Sequence, residues 1–146
     1  MKYRAVYFVL LWVMVGCGGD AIAPIDATVT GPKDGAFSVI SAVPTVSVLR
    51  GADFLVKGKE GTAIPGVEIE FFALGEGSFI SELNDVSVSN LQYVKTITSD
   101  RGHARVSLST TLPPCSSEDR DVVAALSASV KTAGHATKVT YTVKSC

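Results

Sequence analysis

Charge, histidine and tryptophan are all sparse in this 146-residue chain: 18% of residues are charged, two are His, and the single Trp lies at position 12. Each scarcity excludes something. His103 and His135 stand alone, with no Cys or His three or four residues away, so neither belongs to a metal-spaced cluster; both read as surface histidines. No run of Lys and Arg interleaves with aromatic residues, so there is no footprint for nucleic acid. Nucleophile elbows, phosphate-cradling loops and zinc-protease motifs are absent, leaving no catalytic residue to nominate. No stretch carries a 3.6-residue apolar stripe of useful length, which argues against helices.

What the chain does have is unevenly spread. Hydrophobic residues make up 47% of the whole, with the excess packed into Ala5–Val15. Lys2 and Arg4 precede that run, and small Gly16 follows it. Positive, apolar, then small is the order of a secretory signal peptide. About twelve helical residues span only ~18 Å, short of a ~30 Å hydrocarbon core, so the segment is too short to remain as a membrane span. Met14-Val-Gly-Cys17 resembles the lipobox of bacterial lipoproteins. That resemblance implies cleavage between Gly16 and Cys17, a diacylglycerol on the Cys17 thiol and a further acyl chain, such as palmitate, on its new amine. No other cofactor is expected. Gly18 follows the cysteine where an inner-membrane retention signal would usually have Asp, which favours the outer membrane. An ordinary secretory signal with a chance cysteine is the alternative.

Residues 17–27 are small and polar, interrupted by Pro24 and without period, and read as a flexible tether. Residues 28–146 then form one domain. Removing sixteen residues leaves 130, enough for one core, and the formal charge of −1 becomes about −3 once Lys2 and Arg4 are gone.

Alternation dominates this remainder. Val46–Val48 and Phe54–Val56 are short β-prone runs. Val67, Ile69 and Phe71 face one way, with Glu68 and Glu70 opposite. Tyr93–Thr98 is β-rich. Ala104, Val106 and Leu108 point inward, as do Val122, Ala124, Leu126, Ala128 and Val130, and then Val139, Tyr141 and Val143. Turn signals separate the runs at Gly58–Gly61, Ile64–Gly66, Gly75–Gly77, Asp100–Gly102 and Ala133–His135. About seven strands with one wet face predict an all-β, antiparallel two-sheet sandwich.

Gly61-Thr-Ala-Ile-Pro-Gly-Val-Glu-Ile-Glu-Phe-Phe72, followed by Thr98-Ser-Asp-Arg-Gly-His-Ala-Arg-Val-Ser-Leu108, resembles the bacterial immunoglobulin-like domains of the invasin and intimin type. The resemblance spans roughly Thr28–Val143 and is carried by the central hairpins. It implies an immunoglobulin-like fold in which Gly66 and Gly102 supply turn geometry and the alternating apolar residues fill the core. It implies no catalysis. The chain departs from the pattern in two segments read as long loops, Gly75–Asn90 and Leu112–Asp121.

With Cys17 lipidated, Cys115 and Cys146 remain as an even pair in an exported protein. If Val122–Val130 and Val139–Val143 form a hairpin turning near Gly134, the two cysteines share one pole. A disulfide between them is the expectation; two free thiols, or Cys146 joined to another chain, are the alternatives. Function should then lie on loops, with Phe79, Asn84, Asp85, Ser116, Glu118 and Asp119 as candidate binding residues. Phe72 and Phe79 are the aromatic candidates for a contact surface, although each fits the core better. The reading is a non-catalytic module, held to the membrane by its lipid and contacting a protein or glycan in adhesion at the bacterial envelope. An accessory structural lipoprotein of a secretion, pilus or efflux assembly, pairing by a strand edge, is the alternative.

Overall fold

A computed structural model describes residues 22–38, 45–115, 121–131 and 133–144. Among them are ten strands: β1 (Thr28–Thr30), β2 (Gly35–Ser38), β3 (Thr45–Lys57), β4 (Glu68–Leu74), β5 (Ser78–Leu83), β6 (Val86–Leu91), β7 (Tyr93–Ile97), β8 (His103–Leu112), β9 (Asp121–Val130) and β10 (His135–Lys144). They form two five-stranded sheets, ordered β1-β3-β8-β5-β6 and β2-β10-β9-β4-β7. The fold is an all-β two-sheet sandwich, as the alternation predicts.

The inward faces are the residues the period-two reading selects. Val67, Ile69, Phe71, Ala104, Val106, Leu108, Ala124, Leu126, Ala128, Val130, Val139, Tyr141 and Val143 are all buried. Phe54 of the first sheet meets Phe71 of the second at a centroid distance of 5.2 Å and a tilt of 58°. That pair closes the gap between the sheets in the tilted geometry aromatic quadrupoles prefer. The expected last hairpin is present: β9 and β10 pair antiparallel from Val122↔Val143 to Val130↔His135, across the turn at Gly134.

Four expectations need correction. Ten strands replace seven: β1 and β2 are added before the first expected run, the runs Val46–Val48 and Phe54–Val56 are the single strand β3, and Gly75–Asn90 is not a long loop. It holds β5 and β6, joined by a two-residue turn at Asn84-Asp85 between the paired Leu83 and Val86. The polar Ser81, Glu82, Ser87, Ser89 and Asn90 hide the strand signal, since much of this hairpin is exposed. Secondly, the second sheet is mixed. β2 runs parallel to β10 because the chain leaves β1 in one sheet and crosses to the other. Thirdly, Ala23 and Ala27, expected within a flexible tether, are buried in the core cluster, and the Ala27 amide closes a turn onto the Pro24 carbonyl at 3.0 Å. Fourthly, Phe72 is not core; it is 39% exposed on the outer face of the second sheet.

Both flanks of the sandwich are laced by a segment that switches sheets. On one side β1 pairs with β3 and β2 with β10; on the other, β6 pairs with β5, and after Gln92 alone β7 pairs with β4. Gln92 is fixed by accepting the Ala73 amide at 2.9 Å.

Candidate binding face

The strands define two ends. The N-terminal turn, the ends of β3 and β9, and the starts of β4, β8 and β10 gather at one, called here the base. The starts of β5, β7 and β9 and the ends of β4, β8 and β10 gather at the other, the top.

On the outer face of the second sheet, register places Phe72 beside Tyr93 on one side and Ser127 on the other, with Leu74 opposite Ala125. Val123 lies two residues above Ala125 on the same face of β9. Phe72, Leu74, Tyr93 and Val123 are 39%, 42%, 43% and 52% exposed. Large hydrophobic side chains so close together mark a contact site more often than chance exposure does; Ile97, also exposed on this face, stands apart from them at the end of β7. Towards the base the same face turns charged: Lys95 Nζ donates to Glu68 Oε2 at 3.0 Å, and the Tyr93 hydroxyl to Glu70 Oε1 at 3.2 Å. Desolvation first, then the Glu70 carboxylate, hold the Tyr93 hydroxyl above the ordinary value of 10.0. The Phe72 and Tyr93 rings lie 4.8 Å apart at 38°, so they grip one another and do not form a flat platform.

Of the expected binding residues, Phe79 and the Asn84-Asp85 pair are described, and they lie at opposite ends of β5. Phe79 is half-buried on the outer face of the first sheet, beside Ser109. Asn84 and Asp85 form the β5–β6 turn, at φ 48° and 64°. Their side chains act as struts: Asn84 Oδ1 accepts the Arg105 amide at 3.0 Å, Asn84 Nδ2 reaches Thr96 Oγ1 at 3.1 Å, and Asp85 pairs with Arg105 at 3.3 Å. Ser116, Glu118, Asp119, Cys146, Gly16 and Cys17 lie outside the described residues. Cys115 lies at the top, after the end of β8; its expected partner Cys146 is among the residues not described.

Sequence reasoning missed Leu74, Tyr93 and Val123. The signal was available for the first: Glu68, Glu70, Phe72 and Leu74 share a parity, and the last two break the polar pattern of an outward face. Val123 was masked because β9 is apolar on both parities from Val122 to Leu126.

The histidines do more than sit in water. His103 Nδ1 lies 3.0 Å from Asp53 Oδ1, an exposed cross-strand pair between β3 and β8. Nearby Ser99 Oγ accepts the amides of Arg101 and His103 at 3.3 and 3.2 Å, so its hydroxyl holds the turn. His135 Nδ1 accepts the Val29 amide at 3.1 Å and ties β1 to the β9–β10 turn. Among the described residues no group of three His, Cys, Asp or Glu is placed to hold a metal ion.

No protein-family model and no curated protein matches the chain. Among solved structures it is similar to the ASH / PapD-like domain of human CEP192 (PapD-like domain 7), at 9% identity and a TM-score of 0.46, covering 99% of this chain and 98% of that one.

Proposed function

We propose that the chain is a lipid-anchored protein of the bacterial cell envelope whose sandwich is a non-catalytic module docking a protein partner. The observation that carries the docking role is the exposed cluster of Phe72, Leu74, Tyr93 and Val123 on the upper half of the second sheet. Two features favour protein over glycan. Half of the cluster is aliphatic, and the two rings tilt into each other, whereas a sugar ring stacks on an open flat aromatic face. An apolar centre beside a rim of Glu68, Glu70 and Lys95 is the usual anatomy of a protein contact. The lipobox-like Met14–Cys17 supports the anchor, and Gly18 supports the outer membrane. The invasin-like motifs support adhesion as the setting.

A second reading rests on β7, the terminal strand of its sheet. Its outer edge borders the same cluster, so an accessory lipoprotein of an envelope assembly would add a partner strand there and cover the cluster with that strand's side chains.

Photo-crosslinking in native envelopes separates these readings. A photoreactive residue at Val123 or Leu74, compared with one at Lys138, is expected to give a protein adduct that Phe72→Glu removes. Adducts that extend along β7 to Ile97 and are weak at Val123 instead favour the edge. An equal yield at Lys138 overturns the docking role.

A further inference from the structure

Ile25 and Ile22 are the most exposed large hydrophobic side chains among the described residues, at 86% and 72%. They flank Ala23, which is 4% exposed and part of the core, and the next core residue is Ala27 at 2%. The turn between is closed by the bond from the Ala27 amide to the Pro24 carbonyl. Ile25 is therefore displayed on backbone pinned to the sandwich on both sides, and Ile22 directly before the first pinned residue, where a slack linker would carry small polar residues.

Their position in the chain names what they face. Only five residue steps separate Cys17 from Ile22. At ~3.6 Å per residue even a fully extended chain spans about 18 Å. Acyl chains on Cys17 lie in the hydrocarbon layer, and the polar zone beyond it is roughly 5–8 Å deep on each side. The base of the sandwich thus cannot stand far from the bilayer that holds the lipid. The charges at this end are mixed, with Lys57, Lys59, Arg101 and Lys131 against Asp26, Glu60 and Asp100, so anionic headgroups offer it little net attraction and apolar contact has to supply the affinity.

We propose that Ile22 and Ile25 are a membrane-contact edge: they enter the interfacial layer of the bilayer that holds the Cys17 lipid. The inference rests on the lipoprotein reading above. It turns the tether into a short strap, sets the base against the membrane and points the Phe72–Val123 cluster away from it.

The mature chain offers a clean probe, because its one tryptophan, Trp12, lies within the segment removed on cleavage. Ile25→Trp and, separately, Val123→Trp are made in the full chain, purified from host membranes and reconstituted in phosphatidylcholine–phosphatidylglycerol vesicles, with and without brominated acyl chains. The expected result is blue-shifted emission for Ile25→Trp, with loss of intensity on bromination, while Val123→Trp keeps water-exposed emission. Ile22→Trp should behave as Ile25→Trp does. Intact mass is read on the same samples. Acylated protein whose Ile25→Trp emission is as water-exposed and as unaffected by bromination as that of Val123→Trp overturns the contact edge alone. Protein without acyl chains overturns the anchor and, with it, the contact edge.

Discussion

Thr98 and Val67 are joined through a side chain: the Thr98 hydroxyl accepts the Val67 amide at 2.9 Å, across 31 residues of sequence, and donates to the Ile64 carbonyl at 3.1 Å. Backbone bonds run beside it, from the Thr98 amide to Val67 and from the Gly66 amide to Thr98. Thr98 is 4% exposed, so water does not replace these partners readily. Thr98→Val keeps the shape and strands two polar groups. At roughly 1–3 kcal/mol for each unsatisfied buried group, the expected loss is about 2–6 kcal/mol in urea denaturation. Thr98→Ser should stay close to wild type. A Thr98→Val midpoint equal to that of wild type would show that the hydroxyl is not the clamp.

Gly75 and Gly134 both have positive φ, at 107° and 62°, yet should respond differently to alanine. A Cβ on Gly75 would lie 2.5 Å from the Val123 carbonyl oxygen, a backbone atom that moves only with β9. At Gly134 it would meet nothing within 4 Å. Gly134→Ala is expected to cost only the left-handed backbone penalty, about 1–2 kcal/mol. Gly75→Ala should cost clearly more, because steric displacement adds to backbone strain. Paired thermal melts of the two variants check the order, and equal losses would rule out the close approach to Val123.

Tyr141 gives the fold an alkaline limit. Desolvation by burial, and secondarily the Asp34 carboxylate, raise its hydroxyl above 10.0. The folded state therefore holds this proton more tightly than the unfolded chain does. The linked stability is fully present below pH ~10 and is lost as pH climbs through the folded value. Stability should fall between pH 9 and pH 12 (approximate bounds set by the ordinary tyrosine value). Tyr141→Phe should flatten that fall, measured as denaturation midpoint against pH. A slope unaffected by Tyr141→Phe would assign the alkaline loss elsewhere.

The proposed Cys115–Cys146 bridge would close a loop of about 30 residues around the final hairpin, for roughly 3–4 kcal/mol in the chain-entropy treatment. The register supports it, since Asp121 faces Lys144 at the top of that hairpin. Cys115→Ser, Cys146→Ser and the double variant should lose the same stability, because either single change already opens the loop. Additive losses would show that the two sulfurs have separate partners.

Much of the fold was legible because burial in a sandwich writes itself as parity. Ile69 and Phe71, or Val139, Tyr141 and Val143, announce both a strand and its inner face. The turn glycines were legible for a related reason: Gly66 and Gly102 sit at φ 68° and 75°, where a side chain is strained. The β5–β6 hairpin was not, since its solvent-facing edge lacks the alternation that marks a half-buried strand. The Asn84-Asp85 turn was visible as polar residues, but polarity alone does not distinguish a strut from a ligand. The exposed cluster was legible only in part: parity with Glu68 and Glu70 puts Phe72 and Leu74 outside, whereas Val123 lies in a run that is apolar on both parities, and only register places it.

If that cluster serves a partner, the domain's own stability should be nearly indifferent to it. Leu74→Ser and Val123→Ser remove apolar surface that the folded chain leaves at 42% and 52% exposure. Each should shift stability by less than about 1 kcal/mol. Ile69→Ala, on the inner face of the same β4, opens a cavity and should cost about 2–5 kcal/mol. Denaturation of the three variants places the cluster inside or outside the folding unit. A loss at Leu74 or Val123 approaching that at Ile69 would mean that another part of this chain covers the cluster, and the docking face would then have to be sought elsewhere.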